Sequence, residues 1–271
     1  MNKTILITGA STGIGKATAL FFQEKGWNVI ATMRTPEKEE ELTQLDHVLV
    51  TRLDVTDLDS IQAAVKAGIE KFGKIDVLCN NAGYGAFGPL EAVPRENVVR
   101  QFDTNVIGLL DVTQALLPHF RTNKAGVIIN ISSIGGRMTF PLGSLYHGTK
   151  FAVEGITESL NYELKPLGIK ARLVEPGAIA TDFAGRSFDF QNDESIEEYQ
   201  TLVGNLFTAF ESMMPNASPA SLVAEVIYVA ATDEADQIRY LAGEDAKMYI
   251  GGREAQDDVT FMNGIREAFG L

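Results

Sequence analysis

The fold of this chain is decided by the stretch Lys3-Thr4-Ile5-Leu6-Ile7-Thr8-Gly9-Ala10-Ser11-Thr12-Gly13-Ile14-Gly15. The apolar run Lys3–Thr8 predicts a short buried strand, and three closely spaced glycines follow it in a tight turn. The run from Ile14 to about Lys25 is then predicted as a helix. Glycines let the backbone come close to a pyrophosphate, and a helix N-terminus favours its negative charge. The stretch therefore predicts a phosphate-binding turn.

Outside this stretch, apolar strand patterns alternate with helical patterns along almost the whole chain. The further predicted strands are Asn28–Thr32, His47–Thr51, Ile75–Asn80, Gly126–Ser132, Ile169–Val174 and Gln237–Ala242. The further predicted helices are Asp57–Phe72, Pro94–Phe120, Ser144–Leu164 and Ser218–Ala231. This alternation predicts an α/β fold built on a doubly wound parallel sheet with helices on both faces. No repeat or linker divides the chain, so we predict one domain over residues 1–271.

Composition excludes several classes of partner. The 271 residues carry a formal net charge of −13 at pH 7, which disfavours nucleic acid and anionic membrane surfaces. No apolar run approaches the ~18 residues of a membrane span. The N-terminus leads directly into a strand without a signal-peptide pattern, so we expect the cytoplasm. With Cys79 as the single cysteine, no intramolecular disulfide is possible, and no metal site is predicted.

Candidate functional residues gather where predicted strands end. Ligands of doubly wound sheets bind beyond the carboxyl ends of the strands. Four segments of this sequence follow strands in that way, namely Gly9–Gly15, Asn80–Gly83, Ser133 and Pro176-Gly177. We therefore expect these segments to converge on one edge of the sheet.

Two residues of a predicted helix carry a chemical signal. Tyr146 and Lys150 are four residues apart, so their side chains share one helix face. A nearby cation favours the phenolate and lowers the pKa of a tyrosine from its usual ~10 toward the working range. The hydroxyl of Ser133 is expected beside the phenol, where it would hydrogen-bond a substrate oxygen. Taken alone the Tyr-x-x-x-Lys pair is more often an exposed helix surface, whereas together these residues predict proton transfer to an alcohol or a carbonyl.

The combined motifs resemble those of the short-chain dehydrogenase/reductase family. The matching pieces are Thr8-Gly9-x-x-x-Gly13-x-Gly15, Asp54, Asn80-Asn81-Ala82-Gly83, Asn105, Ser133, Tyr146-x-x-x-Lys150 and Pro176-Gly177. The resemblance covers roughly residues 3–245. It implies a single-domain Rossmann fold of about seven parallel strands, and hydride transfer between a nicotinamide cofactor and an alcohol/carbonyl pair. Within the family, the looser likeness is to carbonyl reductases and hydroxysteroid dehydrogenases.

The resemblance also implies catalytic roles. Tyr146 would be the general acid/base, Lys150 would lower its pKa and hold the nicotinamide ribose, and Ser133 would orient the substrate oxygen. Asn105 would kink its helix and hold a water that links Lys150 to solvent. A mid-helix asparagine bonded to its own backbone is the plainer interpretation of Asn105. His147 is predicted as a packing or surface histidine rather than a catalytic one.

Cofactor contacts are implied by the same resemblance. They fall at Gly9, Ser11, Thr12, Gly13, Ile14, Gly15, Arg34, Asp54, Val55, Asn81, Ala82, Gly83, Tyr146, Lys150, Pro176, Gly177, Ile179 and Thr181. The three glycines would form the pyrophosphate turn, Asp54 would contact the adenine, and Thr181 would meet the nicotinamide amide. A turn or cap residue is the alternative interpretation of Asp54.

The residues after the second strand indicate which dinucleotide is used. An NAD-selective site places an acidic residue ~20 positions past the glycines, where it accepts from the ribose hydroxyls. That position falls at Met33, and the next residue, Arg34, offers a planar cation suited to a 2′-phosphate. We therefore predict NADP(H) rather than NAD(H). The alternative is a solvated Arg34 and a site that accepts either cofactor.

The segment 182–217 corresponds to the family's lid over the substrate. Its apolar side chains are Phe183, Phe188, Phe190, Leu206, Phe207, Phe210, Met213 and Met214. They suit a bulky apolar substrate, and they are equally compatible with the buried faces of lid helices. The tail 247–271 is predicted to contain a short helix.

Two functions from different classes follow from these residues. The first is an NADP-dependent carbonyl reductase or secondary-alcohol dehydrogenase acting on a small molecule. The second is a non-catalytic NADP-binding regulatory protein with the same fold. The complete set Ser133, Tyr146, Lys150 and Asn105 favours the first, because a pure binder does not need the tyrosine. Family analogy implies a homodimer or homotetramer formed through the long helices, with the tail after Gly243 placed to block one interface.

Overall fold

The computed structural model describes residues 2–181 and 187–271. Its centre is a sheet of seven strands. They are β1 Thr4–Ile7, β2 Asn28–Met33, β3 Val48–Arg52, β4 Val77–Asn80, β5 Gly126–Ile131, β6 Ile169–Pro176 and β7 Arg239–Ala242. Their order is β7-β6-β5-β4-β1-β2-β3, and every neighbouring pair is parallel. The predicted doubly wound Rossmann sheet is confirmed.

Helices cover both faces of the sheet. They are α1 Gly13–Glu24, α2 Leu58–Phe72, α3 Arg95–Phe102, α4 Gly108–Asn123, α5 Ser144–Leu164, α6 Gln200–Met213, α7 Ala220–Thr232, α8 Glu244–Ala255 and α9 Asp258–Ala268. Two short parallel pairs join Gly85–Phe87 to Phe188–Phe190 and Ile179–Ala180 to Ser218–Pro219. Among the residues described, no helix is both long enough and apolar enough to cross a membrane.

Two helical segments differ in detail from the sequence prediction. The mostly helical segment predicted over Pro94–Phe120, with its expected kink at Asn105, contains a π-helical turn, Asp103–Ile107, which separates α3 from α4. A π turn adds one residue to the hydrogen-bonded ring, and hydrophobic periodicity does not register so local a change. The tail predicted with one short helix instead forms both α8 and α9.

The core forms two apolar layers because side chains alternate along each strand. Ile5 and Ile7 of β1 face a layer covered by α1 and α7, where Phe22 packs edge-on against Trp27 and Tyr228. Leu6 faces the other layer, which is covered by α2 and α4. The single thiol, Cys79 of β4, is fully buried in the first layer, and burial raises its pKa to about 12.

The two layers allow a matched test of packing. Leu116 of α4 is 0% exposed, whereas Leu58, the first residue of α2, is 61% exposed. We expect Leu116→Ala to lower the free energy of unfolding by about 2–5 kcal/mol because it leaves a cavity. Leu58→Ala should change it by no more than about 0.5 kcal/mol. Urea denaturation of both variants checks this, and equal losses would contradict the assigned core.

Candidate active site

The glycine-rich turn lies between β1 and α1, as the sequence predicts. Gly9 and Gly13 have φ of +68° and +56°, a backbone conformation that favours glycine. A Cβ at Gly15 would collide with the carbonyl oxygen of Gly9 and the amide nitrogen of Asn81. That amide donates to the carbonyl oxygens of Thr8 and Gly9, at 2.9 and 3.1 Å. The turn is therefore held from the end of β4.

The start of α1 leaves backbone donors for a ligand. Thr12 is its N-cap residue, and no side chain caps the helix there. Ser11 and Thr12 are exposed, and Ile14 is half-buried. Free N–H groups and the positive end of the helix dipole suit an anion, so this turn fits the pyrophosphate of a dinucleotide.

The loop after β4 is tied to the same turn. The hydroxyl of Thr8 accepts from the backbone N–H groups of Asn81 and Ala82, each at 3.0 Å. A Cβ at Gly83 would lie 3.0 Å from Oδ1 of Asn105. The predicted residues of Asn80–Gly83 thus lie at the expected edge, and Asn81 supports the glycine-rich turn directly.

The loop after β6 reaches the turn from the other side. The Gly177 N–H donates to the Ala242 carbonyl of β7 at 3.1 Å, and Ile179 pairs with Ser218. A Cβ at Gly13 would lie 3.5 Å from Cγ2 of Thr181. Strand-end segments far apart in sequence therefore meet, as predicted.

Near the carboxyl ends of the strands, the fold brings together the side chains of Tyr146, Ser133 and Lys150. Ser133 follows β5, and its side chain is hydrogen-bonded to the Tyr146 side chain. The Lys150 ammonium lies 5.8 Å from the centroid of the Tyr146 ring and donates to the Ile131 carbonyl at 2.8 Å. The α5 helix thus aims both side chains at the space beside Ser133.

Burial is the main influence on the protonation of Tyr146 and Lys150. It raises the pKa of Tyr146 above its usual value of 10, and the hydrogen bond with Ser133 offsets part of the rise. Burial also lowers the pKa of Lys150 to about 8, against the opposing charge of Glu154. The sequence expected a lowered tyrosine pKa, whereas burial outweighs the opposing hydrogen bond and leaves the pKa of Tyr146 raised.

Asn105 lies in the π turn, so its helix is distorted where the sequence expected a kink. Its Oδ1 accepts from the Tyr84 N–H at 3.0 Å, and its Nδ2 donates to the Tyr84 carbonyl at 2.8 Å. Nδ2 also lies 3.2 Å from the Thr149 hydroxyl of α5. The side chain therefore joins the loop after β4 to α5 instead of bonding its own backbone. The water-holding role stays a prediction.

Asp54 and Val55 lie in the turn before α2. Asp54 Oδ1 accepts from the backbone and the hydroxyl of Thr56, at 3.0 and 2.9 Å, as its turn interpretation expects. Val55 is 7% exposed and packs against Gly108, so its side chain is committed to the core. Contact between either residue and an adenine stays a prediction.

The two residues that bear on cofactor choice, Met33 and Arg34, differ in exposure at the end of β2. Met33 is 3% exposed and belongs to the apolar layer. Arg34 is exposed, and within residues 2–181 and 187–271 it makes no ion pair or side-chain hydrogen bond. Arg34 is thus the free cation at this position.

An aromatic wall stands beside Tyr146. The ring of Phe87 lies 5.3 Å from that of Tyr146, 5.1 Å from Phe188 and 6.0 Å from Phe210. Phe188 and Phe210 come from the segment predicted as a lid, whereas Phe183 lies outside the described residues. Sequence reasoning missed Phe87, although the short apolar run Gly85–Phe87, two residues after Gly83, is a signal for it.

A buried cluster of charged side chains lies near the face of α5 that carries Lys150. Glu175 is fully buried, and its carboxylate lies 3.5 Å from Arg137 and 3.3 Å from Arg239. Arg239 also pairs with Glu154 at 2.9 Å, one turn beyond Lys150. Burial, followed by the charge of Glu154, raises the pKa of Glu175 to about 7. No pattern in the sequence predicts this cluster.

The chain belongs to the short-chain dehydrogenase family, whose family model matches residues 3–192. An uncharacterized oxidoreductase of Schizosaccharomyces pombe is 43% identical to it over 244 residues, which are 88% of this chain and 100% of that protein. The fold, the family and this relative together define an oxidoreductase.

Two solved structures with this fold hold a nicotinamide dinucleotide. ElxO with NADP bound is 30% identical, with a TM-score of 0.74 over 94% of this chain and 100% of that chain. A 3-ketoacyl-(acyl-carrier-protein) reductase from Brucella melitensis, complexed with NADH, is 29% identical, with a TM-score of 0.75 over 89% and 95%. Structural neighbours thus bind either form of the cofactor.

His147 fixes the loop that carries Ser133. It is 2% exposed, its Nε2 accepts from the Phe140 N–H at 2.9 Å, and its Nδ1 lies 2.9 Å from the Gly135 carbonyl. These contacts assign the Nδ1–H tautomer. Burial lowers the pKa of His147 to about 4, which confirms a packing histidine that is neutral at pH 7.

This histidine predicts a pH dependence of stability. Its folded-state pKa of about 4 lies below the unfolded value of ~6.5, so the unfolded chain binds the proton more tightly. The stability it contributes is full above pH ~6.5 and is lost as the pH falls through about 4. In urea denaturation between pH 7 and pH 4, the advantage of wild type over His147→Gln should shrink by up to ~1.4 kcal/mol per pH unit. Parallel curves for the two proteins would contradict this.

Proposed function

We propose that this chain is an NADP(H)-dependent reductase of bulky apolar ketones, running in reverse on secondary alcohols. The observation that carries the proposal is the Tyr146 side chain, hydrogen-bonded to Ser133 with Lys150 behind it, at the sheet edge where the glycine-rich turn lies. A non-catalytic NADP-binding regulator with the same fold would have no use for this arrangement.

In the proposed carbonyl reduction, Ser133, Tyr146 and Lys150 have different roles. Ser133 and Tyr146 donate hydrogen bonds to the carbonyl oxygen and so stabilise the negative charge that develops there. When bound, the reduced dinucleotide supplies the hydride. Tyr146 then gives its phenolic proton to the alkoxide, and Lys150 stabilises the phenolate that remains. Because burial raises the pKa of Tyr146, the phenol is protonated at neutral pH and is ready to act as an acid.

The cofactor would be held by the elements that the glycine-rich turn brings together. The N-terminus of α1 would take the pyrophosphate, and the loop containing Gly177 and Thr181 would take the nicotinamide end. Arg34 would bind the 2′-phosphate through its planar guanidinium. Met33 beside it has no carboxylate to repel that phosphate.

The substrate would lie against the aromatic wall formed by Phe87, Phe188 and Phe210. We propose that residues 182–217 act as its lid, with Phe188–Phe190 paired to Gly85–Phe87. Asp189, between the two phenylalanines, is already bonded to Asn97 and to Arg100. An apolar substrate is favoured because each buried methylene contributes ~0.8 kcal/mol.

Apolar side chains on the long helices suit contact with further copies of the chain. They are Val99 of α3 at 42% exposed, Ile107 of the π turn at 49%, and Phe151 and Tyr162 of α5 at 46% and 74%. We propose a homodimer or homotetramer assembled through these helices.

A ketone panel with a matched variant tests the proposed reaction. Wild type should oxidise NADPH with bulky apolar ketones at a higher kcat/KM than with acetone-sized or charged ones. Tyr146→Phe keeps the ring but loses the proton, so kcat should fall at least ~100-fold while the Kd for NADPH changes little. Turnover of Tyr146→Phe within a few-fold of wild type would refute the assignment. Binding of NADPH without turnover of any ketone would favour the regulator.

A second variant tests cofactor choice. Arg34→Ala should lower kcat/KM with NADPH at least ~10-fold and leave kcat/KM with NADH nearly unchanged, because only NADPH carries the 2′-phosphate. The control is Arg121→Ala, which removes an exposed arginine near the end of α4, on the opposite edge of the sheet. A wild type that prefers NADH, or an unchanged ratio in Arg34→Ala, would contradict the role of Arg34.

A further inference from the structure

The loop Gly177–Ala180 is held in place almost entirely through its backbone. The Gly177 N–H donates to the Ala242 carbonyl, and the Ala178 carbonyl accepts from the Ser218 N–H at 2.9 Å. The Ala178 N–H, by contrast, donates to a side chain. It donates to Oδ2 of Asp245 at 2.6 Å.

Asp245 comes from the first turn of α8, beyond the residues 3–192 that the family model matches. Its carboxylate is enclosed by two glycines, since a Cβ at either Gly177 or Gly243 would collide with it. Oδ1 is buried and has no hydrogen-bond partner in the part of the chain that the structure describes. Asp245 as a residue is half-buried, but an enclosed carboxylate oxygen without a partner is costly, so stability alone does not account for an aspartate here.

The rest of α8 contacts the loop that follows β5. Ala246 and Ile250 pack against Ile134 and Met138, which lie in the segment that begins at Ser133. Farther along the helix, Glu254 pairs at 2.5 Å with Arg137, which in turn faces the Glu175 carboxylate. One helix of the tail therefore contacts both the Ser133 loop and the segment that leads into Gly177.

We propose that Asp245 is a positioning residue for the nicotinamide end of the cofactor. By accepting from the Ala178 N–H, its carboxylate fixes the Gly177–Ala178 peptide and with it the path of the chain to Thr181. Thr181 lies against Gly13, so this path sets the gap between the nicotinamide loop and the pyrophosphate turn. The inference rests on the proposed NADP(H)-dependent function and extends the cofactor site into the C-terminal tail.

The test compares two substitutions at Asp245 with a control one residue away. Asp245→Ala should raise the Kd for NADPH at least ~10-fold, because a displaced loop no longer fits the nicotinamide. Asp245→Asn keeps an oxygen that accepts from the Ala178 N–H, so its Kd should stay within ~3-fold of wild type. Glu244→Ala removes the neighbouring exposed carboxylate, which bonds only to Lys247 among the described residues, and should leave the Kd unchanged.

The Kd is measured by fluorescence titration with NADPH, and the melting temperature is recorded for each variant. A Kd for Asp245→Ala equal to that of wild type, with or without a lower melting temperature, would overturn the proposal. So would an equal loss of affinity in Asp245→Asn. If Asp245→Ala does not fold, Asp245→Glu provides the test, since its extra methylene forces the carboxylate against Gly177 and should raise the Kd as much. Failure of wild type itself to bind NADPH would instead refute the proposed function.

Discussion

The shared direction of the seven strands is the constraint on which the site depends. Because all of them are parallel, their carboxyl ends meet at one edge, and loops from distant parts of the chain have to meet there too. Short hydrogen bonds then join these loops. The Thr8 hydroxyl connects the end of β1 to the segment after β4, and Asn81 returns two hydrogen bonds to the glycine-rich turn. The conformation of the turn therefore depends on hydrogen bonds from the neighbouring strand end as well as on its own glycines.

Burial is the second force that shapes the site. It raises the pKa of Tyr146 and of Glu175, and it lowers the pKa of Lys150 and of His147, so it favours the neutral form of all four groups. Among them Lys150, with a pKa of about 8, is the group that still carries most of its charge at pH 7. A cation close to the protonated phenol of Tyr146 gives an electrostatic field with a defined direction.

Much of this was predictable because it depends on local spacing. Three features depend on residues close together in the sequence. They are the glycine-rich turn, the four-residue interval from Tyr146 to Lys150, and the strands that end just before Ser133 and Gly177. The contacts of Phe87 with Tyr146 and of Asp245 with Ala178 were missed because the partners lie about 60 to 70 residues apart in the sequence. The direction of the Lys150 ammonium and the lost proton affinity of His147 depend on burial, which spacing does not reveal. The family resemblance implied a kink at Asn105, but its form as a π turn escaped prediction because it shifts one hydrogen-bonded ring within an otherwise regular pattern.

The position of Cys79 makes the chain's only thiol a reporter of its own core. The side chain lies in β4, paired on both sides by β1 and β5, and neither solvent nor a reagent reaches it while the sheet is intact. Its raised pKa also keeps it as an unreactive thiol at ordinary pH. The rate at which this one sulfur is alkylated would therefore report how often the central sheet opens. Because the chain has no other cysteine, an oxidising or reducing environment could act on a thiol of this chain only at Cys79.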